Sequence, residues 1–454
     1  MPGYIMTIAA AVDALLRRHQ VNYHIADPLF EAPPEGAQRV RSALLGHGSQ
    51  LLHVLFPADR LLDLQALRSA QGLSWQPLSQ RRMELLCRPL ALGWPPALPG
   101  VLGVPVAVES DLLRCSSLWL EMGGEQCVQL DGAAFRRLLG EAETLHCSLP
   151  LVEQGEEAAA SAGSEEVISM TTRRIRQRLE ETLDLPSMPV TAQRIIQLHA
   201  LPDADARDLV EIVETDPSLA AQVVGWAASP YYAAPGPIRS VHDAIVRVLG
   251  FELVMNLALG IALGRALTSP TEQAEGFTPY WEQAVFGATA VEALLATLPS
   301  QSRPPQGLAY LSGLLHNLGY LLLAELFPPQ FQELCRLQAV NPHVHHSHIE
   351  RHLLGLTRDQ LASWLAQYWG LPSPLPTALL HQNHPHYRGP DHSFSLLVFV
   401  AMRLLRLNGI GDAAQEPIPF EVYERLSMDP AAAKQAIHQV VEAGDSLRHI
   451  AALF

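Results

Sequence analysis

The chain has 454 residues, 48% hydrophobic and 17% charged, which is too apolar for a disordered chain and long enough for two or three domains. Its formal net charge of −15 excludes broad electrostatic attraction to nucleic acid and leaves only local basic faces. Lys434 is the only lysine, so no chemistry that needs a lysine amine is available before that position. The five cysteines, Cys87, Cys115, Cys127, Cys147 and Cys335, show no CxxC spacing, which predicts free thiols and no zinc ribbon. Asp13 interrupts the first apolar run, no basic segment precedes it, and Leu253 to Leu263 is too short for a bilayer and contains Asn256. The expectation is a cytoplasmic protein with no membrane span.

In chain order, Ala9 to Arg18 reads as a helix, and Leu51 to Phe56 and Val104 to Val108 read as buried strands. Helical patterns follow at Leu61 to Ala70 and Ala133 to Leu139. Leu118 to Met122 and Cys127 to Leu130, separated by Gly123-Gly124-Glu125-Gln126, form a hairpin pattern. These elements predict an α+β domain over residues 1–150. Residues 151–168 hold Glu153, Glu156, Glu157, Glu165 and Glu166 among Ala, Gly and Ser, with no apolar periodicity; this predicts a flexible acidic linker.

Beyond the linker, strand signals nearly vanish. Leu209, Ile212, Val213, Leu219, Val223 and Val224 recur at helical spacing, and Asp216-Pro217 is an N-cap with proline at the first helical position. Ser240 with Asp243 has capping-box spacing, and Gly250 closes that helix as a left-handed C-cap. The fold expected for 169–408 is all-α, with a helical extension over 409–454. Leu311 to Leu326 reads as one apolar helix carrying Leu315-His316-Asn317-Leu318-Gly319.

An ordered set of motifs carries a family resemblance. It comprises Leu185-Pro186-Ser187-Met188-Pro189, Glu214 to Ala220, Ala227-Ala228-Ser229, Tyr231-Tyr232, Leu249-Gly250, Gly313 to Gly319 and Trp369-Gly370-Leu371-Pro372. In this order and spacing they resemble the HDOD domain, a helical relative of the HD phosphohydrolases. That resemblance implies a non-catalytic regulatory domain whose partners are other signalling proteins or a small ligand. HD enzymes hold a metal through an early histidine, a His-Asp pair and later ligands. The matching positions here are Gln283, His316-Asn317 and Arg358. An amide offers only a neutral oxygen, and an arginine never deprotonates. The expectation is therefore vestigial HD positions, no metal and no cofactor, with metal-dependent phosphohydrolysis disfavoured.

Histidine is abundant nearby. His348 and His352 have the four-residue spacing of a metal pair, but no carboxylate or cysteine follows at ligand spacing. The stretch His343 to His352 therefore reads as a solvated, pH-responsive surface. His381 and His384 resemble a histidine-rich stretch of the HDOD family and, with His316, make a candidate ligand pocket.

In the first domain, Val54 to Leu64, Gly103 to Glu109, Glu121-Met122-Gly123-Gly124 and Asp131 to Phe135 resemble the YbaK/prolyl-tRNA synthetase-associated editing domain. That family hydrolyses mischarged aminoacyl-tRNA beside a lysine and a glycine-rich loop. The lysine falls near Arg41 or Ser42, the loop is Leu92-Gly93-Trp94-Pro95-Pro96, and Glu109 keeps an acid. The expected function is a non-catalytic regulatory protein in which a degenerate editing-like domain serves as sensor or interaction module. The alternative is an aminoacyl-tRNA deacylase acting through Arg41, Gly93 and Glu109. tRNA enters as a partner only under that alternative, and DNA under neither.

Overall fold

The computed structural model describes residues 8–26, 34, 36–123, 126–151, 186–199, 201, 203–267, 270, 277–413 and 416–453. The expected linker lies outside these apart from Leu151. The chain divides into two compact units. The first takes the described residues up to Leu151 together with Glu333–Val344. The second takes the described residues 186–332 and 345–453.

The first unit is the expected α+β fold. Its strands are β1 (His24–Ala26), β2 (Gln38–His47), β3 (Gln50–Pro57), β4 (Arg60–Leu62) and β5 (Gln76–Pro77), then β6 (Val106–Glu109), β7 (Ser117–Glu121), β8 (Cys127–Asp131), β9 (Glu143–Leu145) and β10 (Ser148–Pro150). The main sheet runs β1-β8-β7-β2-β3-β6-β9, with β5 on β2. β2 lies at its centre, antiparallel to β3 and parallel to β7. Polar Arg39, Arg41 and Ser42 break the apolar run of β2, which is why the sequence pattern misses this strand. The expected hairpin is present as β7 and β8, paired through Leu120↔Val128.

Strand alternation puts Val40, Leu55, Val108, Leu118 and Leu120 on one face, where Val12 and Leu16 of α1 (Ala10–Arg18) and Phe135 pack with them. The helix expected from Leu61 splits. Its first residues pair as β4 with β10, and α2 (Leu64–Gln71) begins only after Asp63, whose carboxylate caps Gln65 and Ala66. α3 (Gln80–Cys87) and α4 (Gly132–Leu139) complete this part. In β4, Leu61 and Asp63 face β10, so Leu62 and the Arg60 carbonyl face the other edge. Within the unit the Asn341 side chain satisfies that edge: its Oδ1 accepts from Leu62 N (2.7 Å) and its Nδ2 donates to Leu62 O (3.0 Å). His343 Nε2 bonds Arg60 O at 3.0 Å, and its ring packs on Phe56.

The second unit is helical, as expected. It opens with α5 (Val190–His199), α6 (Ala206–Glu214), α7 (Pro217–Ala227), α8 (Val241–Ala244), α9 (Phe251–Gly264) and α10 (Tyr280–Thr297). Next come α11 (Gln306–Leu315), α12 (Leu318–Leu326), α13 (Pro328–Val340), α14 (His346–Leu354) and α15 (Arg358–Tyr368). α13 contributes only its first residues, the rest belonging to the first unit. α16 (Pro374–His381), α17 (His392–Leu407), α18 (Phe420–Leu426), α19 (Pro430–Glu442) and α20 (Gly444–Ala451) follow. Asp216 caps α7 through Ser218 and Leu219, with Pro217 at the first position. Ser240 caps α8 as expected, although Asp243 reaches back to the Arg239 amide rather than to Ser240. Gly250 has φ +81° between a five-residue wide turn and α9. In the expected C-terminal extension, α19 and α20 pack on α10, where Arg448 pairs with Glu282 at 3.0 Å.

The apolar stretch expected as one helix is two. α11 ends at Leu315, Asn317 leaves helical geometry (φ −107°, ψ 20°), and α12 restarts at Leu318. Gln306–Leu326 has the length and apolarity to cross a bilayer, but 89% of its most apolar 18 residues are buried inside the fold, as in a core segment.

Close backbone approaches fix the break in space. A Cβ on Gly313 would lie 2.6 Å from Gly287 O, so α10 and α11 touch backbone to backbone. A Cβ on Gly319 would lie 1.9 Å from Arg358 O, so α12 touches the start of α15. Because that obstruction is backbone, Gly319→Ala is expected to destabilise the fold by about 3 kcal/mol. Urea denaturation checks this, and an unchanged midpoint would refute the packing argument.

Candidate functional site

The break between α11 and α12 brings the HD-like positions together. Asn317 Nδ2 donates to Gln283 Oε1 (3.2 Å), and Asn317 Oδ1 accepts from Arg358 Nη1 (3.0 Å). The three departures from the HD pattern thus form one hydrogen-bonded chain. Gln283 is held by Nε2 donating to Thr278 O at 2.7 Å. His316 lies beside them, its Nδ1 bonded to Gly313 O at 2.7 Å.

Arg358 is the centre of this site. It is 1% exposed, at the first position of α15, where Thr357 and Gln360 form a capping box. Its Nε pairs with Glu350 Oε1, its backbone amide donates to Glu350 Oε2 (2.8 Å), and its Nη1 donates to Asp412 Oδ2 (2.7 Å). Burial opposes the guanidinium charge, but Glu350 and Asp412 outweigh it and hold the Arg358 pKa above its ordinary value. Burial also raises Asp412 and Glu350; for Asp412 the Arg358 charge prevails and the pKa falls, whereas for Glu350 burial prevails. Tyr320 lies 5.1 Å beneath the guanidinium.

A pocket opens over this cluster, lined by His316, His346, Arg358, Asp359, Asn383 and Asp412 among others. It offers room for about one ordered water (about 20 Å³), within about 430 Å³ of unfilled space that includes the solvent above it. Asp359 accepts from Gln382 Nε2 (2.8 Å) and Asn383 Nδ2 (2.9 Å). Burial, with Glu350 nearby, pushes its pKa up to about 7.

The donor set does not fit a divalent metal. Of the four HD-like positions, only His316 keeps a ligand residue; Gln283 and Asn317 are amides already bonded to each other, and Arg358 is a fixed cation that repels another cation. Among the described residues, no three His, Cys, Asp or Glu side chains group for a metal.

The candidate pocket of His316, His381 and His384 does not assemble as one. His381 stacks on Tyr387 (3.7 Å between ring centres) and lies 5.6 Å from His384, while Gln382 and Asn383 between them line the pocket with His316. Only the end of the stretch from His343 to His352 is the solvated surface expected: His352 is exposed, but His346 is buried. His343 is docked in the first unit, and His345 and His346 stack at 3.9 Å inside the second. Sequence reasoning missed Glu350, Asp359, His346 and Asp412. Glu350 sits eight residues before Arg358, but Asp412 comes from a loop without any pattern.

The residues of the deacylase alternative do not converge. Cross-strand register places Glu121, Arg41, Phe56 and Glu109 in one row on one face of the sheet. Arg41 pairs with Glu121 at 2.7 Å, and buried Phe56 separates it from Glu109. Glu109 is 1% exposed and accepts from Cys147 N, Ser148 N and Ser148 Oγ, all at 2.8 Å, and from Ser110 Oγ at 3.0 Å. The loop of Gly93 lies on the opposite face, where Ser42 Oγ donates to Pro95 O at 2.9 Å.

With this geometry in place, the comparisons are specific. A family model for the HDOD domain matches residues 185–385, and the second unit is an HDOD fold. A protein assigned to signal transduction, from Marinobacter aquaeolei VT8, is 36% identical over 98% of this chain and 99% of its own, with a TM-score of 0.87. The chain belongs to the same family as that protein. An HDOD domain protein of unknown function from Geobacter sulfurreducens shares the fold (TM-score 0.51, 19% identity, 62% of this chain and 99% of that one). An uncharacterized protein from Treponema pallidum (strain Nichols) is 26% identical over 268 residues, 56% of this chain. The chain spans about half the length of that curated relative (48%).

Arg358→Ala is expected to cost about 3–5 kcal/mol, because it leaves Glu350 and Asp412 buried without a counter-charge. Adding Glu350→Gln to that variant should restore part of the loss in a double-mutant cycle; strict additivity would refute the pairing. A second expectation concerns acid. Burial holds His345 and His346 well below the usual histidine range and His384 down to about 4. The unfolded chain binds protons there and the folded chain does not, so stability is lost as pH falls from about 6.5 toward 4. Asp359, raised to about 7, acts oppositely: its contribution is present at low pH and is lost as pH rises toward 7. The histidines outnumber it, so the unfolding midpoint should drop between pH 6.5 and 4; a flat profile would refute their neutral burial.

Proposed function

We propose that this chain is a non-catalytic signalling protein. Its HDOD domain binds a partner protein or a small ligand at the pocket beside His316, and its first unit serves as a sensor or interaction module. The observation that carries this reading is the Gln283–Asn317–Arg358 chain. A buried guanidinium fixed by two carboxylates stands among the positions from which an HD enzyme would ligate a cation. The assignment of the Marinobacter relative to signal transduction supports the signalling role. The pocket combines apolar walls from Met402, Leu405 and Ile410 with convergent polar groups, the usual composition of a binding site.

Hydrolysis assays on the full chain test this reading. No phosphate should be released from phosphomonoesters or cyclic dinucleotides with magnesium, manganese or iron, and mischarged tRNAs should survive at the background rate. Deacylation above background that disappears in Arg41→Ala would establish the enzymatic alternative instead. Metal-dependent phosphate release lost in His316→Ala would overturn the non-catalytic reading of the second unit.

A further inference from the structure

We propose that the pocket over Arg358 receives an uncharged ligand edge in which a carbonyl oxygen stands beside an N–H donor. This is the pattern of a carboxamide, a ureide or a nucleobase lactam. The inference rests on the reading of this pocket as a binding site and names the chemistry it selects.

Two residues that line the pocket carry buried polar atoms without protein partners. His346 is 7% exposed; its ring leans toward the Asp412 backbone, but neither ring nitrogen reaches a partner at full hydrogen-bond geometry among the described residues. The nearest acid, Asp412 Oδ2, lies 3.9 Å from its Nδ1. Arg358 Nη2 is likewise buried and unpartnered, although Nε and Nη1 of the same group are fully engaged. Leaving such groups desolvated and unpaired costs about 1–3 kcal/mol each, so a site that retains them is suited to a guest that pairs them.

Charge decides the class of guest. An anion would be drawn to Arg358 but would meet Asp412 in the lining, and the guanidinium charge is already answered by Asp412 and Glu350. A cation would meet the buried guanidinium directly. A neutral carbonyl accepts from Arg358 Nη2 without adding charge. A neighbouring N–H finds acceptors in an imidazole nitrogen of His346 and in His316 Nε2, left as an acceptor when Nδ1–H bonds Gly313 O. Room for about one water matches a single such edge, with the ligand body left toward solvent.

The test uses the full chain and three small probes at matched ionic strength: uracil as a lactam, acetate as an anion and guanidinium as a cation. Calorimetry and thermal shift are read for wild type and for His346→Leu, which removes the unpaired imidazole while keeping the site apolar and filled. Saturable uracil binding, weakened about tenfold or more in His346→Leu, with the variant at least as heat-stable as wild type, supports the proposal. Loss of thermal stability in His346→Leu with uracil binding unchanged would make His346 structural and overturn it. Saturable binding of acetate or guanidinium instead of uracil overturns the neutral-edge assignment but leaves the pocket a binding site. Binding of none of the probes overturns both this proposal and the small-ligand reading, leaving the partner-protein reading.

Discussion

The helical unit depends on how one buried positive charge is neutralised. Arg358 reaches the interior from the first turn of α15, and its partners come from α14, from the break between α11 and α12, and from the loop after α17. A guanidinium suits this task because its planar fork serves several acceptors at fixed angles and never loses its proton. Isolated in the interior it would be costly; bracketed by Glu350 and Asp412 it ties together segments far apart in sequence. In a metalloenzyme a bound ion organises ligands from several helices in the same way, but an ion can leave. A side chain, unlike an ion, makes that organisation permanent.

Such convergence needs helices that approach more closely than ordinary side chains allow. Gly287 and Gly313 let α10 and α11 meet at their backbones, and Gly319 lets α12 meet the start of α15. The His316 ring sits against Gly287, so the same small residue that permits the crossing also makes room for the imidazole. The motif around His316 therefore persists for packing reasons that do not require catalysis.

Much of this was legible in the residues. Helical periodicity, the Asp216-Pro217 cap and the hairpin around Gly123 each express a local preference, and each element is present. Gln283, Asn317 and Arg358 were legible as HD-like positions, but the pocket was expected at His316, His381 and His384, of which only His316 lines it. What the sequence did not show is non-local. β2 carries two arginines and a serine because its rows are completed by Glu121 and Pro95. The break at Asn317 is set by packing against other helices, since its flanks are uniformly apolar. Asp412 lies in a loop whose composition carries no signal. The histidines from His343 to His346 read as polar and solvated, yet His346 is buried and His343 and His345 are half-buried against their neighbours.

The Asn341 amide stands in for a strand along β4, and His343 continues the substitution at the Arg60 carbonyl. The first unit is consequently not contiguous in the chain. A fragment ended at residue 151 would keep every strand of the sheet but uncover the outer edge of β4, with the Leu62 amide and carbonyl and the Arg60 carbonyl unpaired. Bare edges of that kind recruit other chains. Self-association of such a fragment would therefore report a missing dozen residues from much later in the sequence (Glu333–Val344) rather than an interface of the intact protein.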